Sequence, residues 1–156
     1  MTRALLILVL AAMAPVRAED VVTLWDAEYV TVRPGATVRL LIHATIAEGY
    51  VLIAHRAQAK NLAPLSVRIS APSHLEVGTP AYPTSQQAEI QSGKRQVPTY
   101  AGLLEIALPV TVSREAAAGD LILEGELRYQ ACDKHSCLSP RTAPLELVVE
   151  VRPAPE

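Results

Sequence analysis

Two cysteines are the side chains of this sequence whose type and spacing point to covalent chemistry. They lie in the segment Tyr129-Gln130-Ala131-Cys132-Asp133-Lys134-His135-Ser136-Cys137-Leu138-Ser139-Pro140. Four residues separate them, so a hairpin with a four-residue tip sets the two sulfurs opposite each other. Paired strand positions bring Cα atoms to about 5 Å, inside the range a disulfide bridges. Three readings of the pair stand open. As a staple, the bond closes a ring of six residues, worth only about 2 kcal/mol of chain entropy. As an exchanging bond, it needs a thiolate nucleophile. Lys134 and His135 stand between the sulfurs as groups that favour a thiolate, while Asp133 opposes it. As a metal site, Cys132, His135 and Cys137 offer three soft or borderline ligands. That spacing matches no recognised zinc pattern and no fourth ligand lies nearby, so neither a metal nor another cofactor is expected.

Other chemistry finds little support. No Gly-x-Ser-x-Gly elbow accompanies the serines and histidines, and there is no phosphate loop or paired-carboxylate signature. His43 lies between apolar neighbours and reads as a structural histidine. His55 and His74 show no partner in the sequence. His135 reads equally as a solvated loop side chain. Trp25, the single tryptophan, is expected in the core.

The elements that must position the cysteines are strands. Val38, Leu40, Ile42, Ala44 and Ile46 alternate with Thr37, Arg39, His43 and Thr45, the period of a half-buried strand. Similar runs cover Ser66–Ser70, Leu104–Val112, Leu121–Tyr129 and Leu145–Val151, with shorter candidates at Leu24–Val32, Val51–His55 and His74–Val77. Arg33-Pro34-Gly35 is a turn before the first long strand. The stretch from Gly78 to Pro98 carries prolines, Gln, Ser and the basic pair Lys94-Arg95, and reads as a long surface loop. The Ala-rich segment from Ser113 to Asp120 is expected to form one helical turn. The pattern predicts an all-β, immunoglobulin-like sandwich of about seven to nine strands.

The N-terminus sets the expected compartment. Arg3, the apolar run from Ala4 to Ala14, and Val16-Arg17-Ala18 form a signal peptide with cleavage after Ala18. The domain then covers 19–151, and residues 152–156 form a disordered tail. No later segment approaches the roughly 18 continuous apolar residues of a membrane helix, so no direct membrane anchor is expected. The chain has 14 basic and 16 acidic residues, and loss of Arg3 and Arg17 with the signal makes the balance more acidic, which argues against nucleic acid as a partner. The length suits one domain whose core does not need a disulfide to hold it.

The cysteine segment resembles the N-terminal periplasmic domain of the thiol:disulfide interchange protein DsbD family. Tyr129-Gln130-Ala131-Cys132, Cys137 and the following Pro140 carry the specific part of the resemblance. Glu48-Gly49-Tyr50 resembles that family's Gly-aromatic corner, Ala81-Tyr82-Pro83 its Tyr-Pro loop, and Leu108-Pro109-Val110-Thr111-Val112 its Leu-Pro-Val strand. The resemblance implies a periplasmic domain with a redox-active Cys132–Cys137 disulfide. It implies Cys137 as attacker and Cys132 as resolver, and a membrane-embedded electron donor. It also implies partners among periplasmic thiol proteins of the disulfide isomerase or thioredoxin-like kind. With no membrane domain following, the donor is expected to be separately encoded. The sequence departs from the family in Leu138-Ser139-Pro140, where paired prolines are usual, and in the aliphatic run Val51, Leu52, Ile53. It also has no Phe to shield the sulfurs. Tyr82, Tyr100 and Tyr129 are the aromatic candidates for shielding, with His135 as a tuning candidate.

Overall fold

The computed structural model describes residues 21–153, apart from 26, 27 and 92. The expected signal peptide and residues 154–156 lie outside the described residues. Twelve strands follow in order: β1 (Val22–Leu24), β2 (Tyr29–Val32), β3 (Thr37–Ile46), β4 (Val51–Ile53), β5 (Ser66–Ser70), β6 (Leu75–Val77), β7 (Gln86–Ile90), β8 (Arg95–Tyr100), β9 (Leu103–Val112), β10 (Gly119–Tyr129), β11 (Ala131–Cys132) and β12 (Arg141–Val151). No helix occurs among the described residues. The fold is all-β and immunoglobulin-like, with more strands than expected because four of them form a third sheet beside the sandwich.

The strands make three four-stranded sheets, ordered β1-β3-β9-β6, β2-β12-β10-β5 and β11-β4-β8-β7. The first two form the sandwich. Antiparallel β3 and β9 align Leu40 with Leu108, Ile42 with Ile106 and Ala44 with Leu104, all turned inward and buried. In the second sheet β10 and β12 pair over eleven positions, and Leu123, Leu127, Leu145, Leu147 and Val149 supply its buried face. Period two explains both: one residue in two faces the shared core and is worth roughly 2 kcal/mol when fully buried. β2 runs parallel to β12 along the sheet edge. Gly125 is required where β5 pairs with β10, because a Cβ there would collide with the Arg68 carbonyl oxygen and the Ile69 side chain.

The third sheet corrects the expectation of a long loop at 78–98. Most of its second half is the β7–β8 hairpin, turned at Gln91–Lys94. The alternation in Gln86-Gln87-Ala88-Glu89-Ile90 is too polar to signal a strand, and Pro98 argues against one. Pro98 is tolerated because it stands just past the end of β4. There its carbonyl accepts the Ala54 N–H at 3.0 Å and no donor is required of it. The expected helical turn between Ser113 and Asp120 is instead a β-turn closed by Ala116 N–H on the Ser113 carbonyl, and strand resumes at Gly119. Trp25 is also corrected. It is 54% exposed, donating its indole N–H to Thr45 and packing its ring against His43.

Candidate functional site

The chain changes sheets at Gln130. β10 ends at Tyr129, and after one residue β11 begins in the small third sheet, pairing Ala131 with Leu52 and Cys132 with Val51. Gln130 is buried, and each of its polar groups holds a different strand or loop. Its carbonyl accepts the Ile53 N–H, its Oε1 accepts the Ala63 N–H at 2.7 Å, and its Nε2 donates to the Leu138 carbonyl at 3.0 Å. Leu138 N–H returns to the Ala131 carbonyl at 2.8 Å. The far side of the cysteine turn and the Ala63 loop are thereby tied to one side chain, which sequence reasoning saw only as part of a motif.

Cys132 and Cys137 face each other across this turn as a bridged pair, with Cα atoms 4.0 Å apart and a disulfide between them. Asp133 builds the tip. Its Oδ1 accepts the N–H groups of His135 and Ser136, each at 2.7 Å, and its own N–H donates to the Ser136 carbonyl. These backbone donors, Ser136 first and His135 second, hold the Asp133 carboxyl below its ordinary range. The carboxylate expected to oppose a thiolate is thus engaged by the turn itself. Lys134 and His135 remain exposed at the tip.

The two sulfurs have unequal surroundings. Cys132 is 0% exposed, whereas Cys137 is only partly buried. Cys132 belongs to a small apolar cluster with Ile53, Ala57, Ile90 and Val97, against which Val51, Ala59, Leu62 and Cys137 pack. This cluster lies on one face of the third sheet. The other face, carrying Leu52, Tyr100 and Ala131, belongs to the main core. Of the two sulfurs, Cys137 is the one with access to solvent.

The family model for the thiol:disulfide interchange protein DsbD, N-terminal, matches residues 18–148. The chain belongs to this family. No curated protein sequence matches it. Among solved structures it is similar to the N-terminal periplasmic domain of ScsB from Proteus mirabilis, with a TM-score of 0.54 at 14% identity over 81% of this chain. The chain spans 44% of the length of that ScsB structure. It is also similar to the reduced DsbD N-terminal domain of Neisseria meningitidis, with a TM-score of 0.48 at 17% identity, covering 75% of this chain and 82% of that one. The ScsB likeness bears on the fold.

The segments that resemble the DsbD N-terminal family fall in separate parts of the molecule. Gly49, at φ +84°, makes the Ala47–Tyr50 turn that leads β3 into β4, the strand on which β11 pairs. Pro109 lies on β9, and Ala81 bridges to Ala107 on the same strand. Tyr82 and Tyr100 meet not at the sulfurs but around His55. The Tyr82 ring stacks on the imidazole at 4.0 Å, and the Tyr100 hydroxyl lies 2.6 Å from His55 Nδ1. Tyr82 also accepts the Val67 N–H at its hydroxyl. Burial raises both tyrosine hydroxyls, and burial followed by the Arg56 charge lowers His55. A cavity of about 500 Å³ opens beside them, lined by His55, Arg56, Tyr82 and prolines 80, 83 and 98. Tyr129 is buried in the main core at the end of β10. The groups packed on the sulfurs are aliphatic. His43, in contrast, pairs with Glu105 at 3.0 Å.

Proposed function

We propose that the chain is a periplasmic thiol–disulfide exchange domain that passes electron pairs to protein disulfides through Cys132 and Cys137. The observation that carries the reading is the unequal burial of two bonded sulfurs on a turn held by Gln130, in a chain of the DsbD N-terminal family. In the reduced domain the Cys137 thiolate attacks one sulfur of a partner disulfide. A mixed disulfide forms and the partner's other sulfur leaves as a thiolate. The Cys132 thiolate then attacks Cys137, the Cys132–Cys137 bond re-forms, and the partner departs as a dithiol after taking up protons from solvent. Two electrons have moved, and no cofactor takes part. The electron donor is a membrane-embedded thiol protein, and the acceptors are disulfide isomerases or thioredoxin-like proteins of the periplasm. The signal peptide at 1–18 delivers the chain there.

The reduction potential tests this. The purified domain is equilibrated in defined thiol buffers and its free thiols are trapped and counted. A potential well above about −300 mV marks a bond open to exchange. A value below that marks a staple, and the chain is then a binding module that keeps the family's fold without its chemistry.

A further inference from the structure

Three lysines occur in the whole chain, Lys60, Lys94 and Lys134, and they stand far apart in sequence. The fold gathers their loops around one disulfide. Lys134 sits in the cysteine turn itself. Lys94 follows Gly93, which shares a shallow surface cavity with Glu89, Lys134 and His135. Lys60 lies between Ala59 and Leu62, both of which pack on the cysteine cluster. Arg95 ties two of these loops together by donating to the Lys60 carbonyl at 3.0 Å. The three lysines are exposed, and none is in an ion pair with another described residue. Against them stand two carboxylates, Glu89, hydrogen-bonded by Gln96, and Asp133, hydrogen-bonded by the backbone of its turn, so with Arg95 four basic side chains face two acidic ones. Basic side chains on three loops next to the cysteine cluster therefore outnumber acidic ones near the half-buried Cys137, on a chain whose net charge is −2.

We infer that these loops form a docking rim for protein disulfides flanked by Asp and Glu, with the lysine ammonium groups steering acidic partners onto Cys137. The inference rests on the exchange reading and names its substrate class. Opposite charges around a reactive centre raise the encounter rate by about 10-fold or more at low salt, and the effect fades as salt shortens the Debye length.

The test uses the mature reduced protein and two synthetic disulfide peptides, identical except for Asp or Lys beside their cysteines. Exchange is followed by rapid acid quench at low and at high salt. The acidic peptide is expected to react about 10-fold faster at low salt, with the gap closing at high salt. A triple variant, Lys60→Glu with Lys94→Glu and Lys134→Glu, is expected to reverse the order, and the matching Gln variant to abolish it. Equal rates for both peptides, with exchange intact, overturn the rim and leave the exchange reading standing. If neither peptide reacts, the exchange reading fails. The rim is then decided by zero-length coupling of lysine amines to carboxylates on the oxidised protein. Adducts of the acidic peptide at Lys60, Lys94 and Lys134 support it, and their absence overturns it.

Discussion

The sandwich and the small third sheet are built from the same strand chemistry to opposite ends. In the sandwich, β10 and β12 hold each other over eleven paired positions and β3 and β9 over nine. In the third sheet β11 holds β4 by two pairs, and β4 holds β8 by two. The sandwich buries Leu and Ile from both sheets in one continuous core, whereas the cysteine face rests on a cluster of five buried residues. Long ladders over a deep core open only with global unfolding, while short ladders over a small cluster open locally at lower cost. A sulfur that must meet a partner belongs in the second kind of structure, and a frame that must persist through each exchange belongs in the first.

Substitutions separate the two regions. The largest effect is expected from Cys137→Ser, which should abolish exchange outright in a thiol-trapping assay while lowering chemical-denaturation stability by only about 2 kcal/mol, the entropy of the small ring. Cys132→Ser should instead leave Cys137 in a trapped mixed disulfide, visible as a mass increase equal to the partner. A mixed disulfide on Cys132 in the Cys137→Ser protein would reverse the assigned roles.

In the sandwich, Leu123→Ala should cost roughly 2–5 kcal/mol of global stability by urea titration, because it empties a fully buried site. Ile90→Ala should speed amide hydrogen exchange chiefly in β7, β8 and β11. If both variants lower protection uniformly over the chain, the two regions are one cooperative unit and the comparison fails.

Gln130→Ala should cost roughly 1–3 kcal/mol, leaving the Ala63 N–H and the Leu138 carbonyl without their buried partner. It should also raise the rate at which a small thiol reduces the bond, since the Leu138 side of the turn loses its side-chain tether. Asp133→Ala should act in the same direction with roughly 1 kcal/mol, while Asp133→Asn, which keeps the accepting oxygen, should stay near the parent.

The smallest effect concerns pH. His55 titrates below its ordinary 6.5 in the folded chain because burial, and then Arg56, disfavour its charged form. Below 6.5 the unfolded chain therefore binds the proton first. Stability should be flat above that pH and decline as pH falls toward the folded value. His55→Gln should remove this component from a plot of denaturation midpoint against pH. An unchanged slope would place it elsewhere.

Much of the frame was legible because burial on one face writes itself as period two. The runs that became β3, β9, β10 and β12 alternate clearly, and the residues inside the sandwich are those the alternation picks out. The β7–β8 hairpin was not legible, since its outward face and Pro98 dilute the pattern and its buried face is supplied by only a few residues. Trp25 was misplaced for a related reason. Its ring is apolar, but Thr45 and His43 offer it a hydrogen bond and a stacking surface outside the core. Nothing local indicates that His55 will meet Tyr82 and Tyr100, because their contact depends on three loops and strands converging.

The sequence by itself determined that two cysteines lie within one turn's reach, since a four-residue spacing constrains the chain whatever surrounds it. It also determined the strands whose alternation demands a two-layer core. Only the tertiary structure decided which sulfur is sealed, that Gln130 holds the turn through Leu138, and that loops carrying three lysines far apart in sequence come next to the cysteine cluster. Spacing governs what a segment can do alone. Exposure and long-range neighbours depend on which face of which sheet the segment joins, and that follows from pairings across the whole chain.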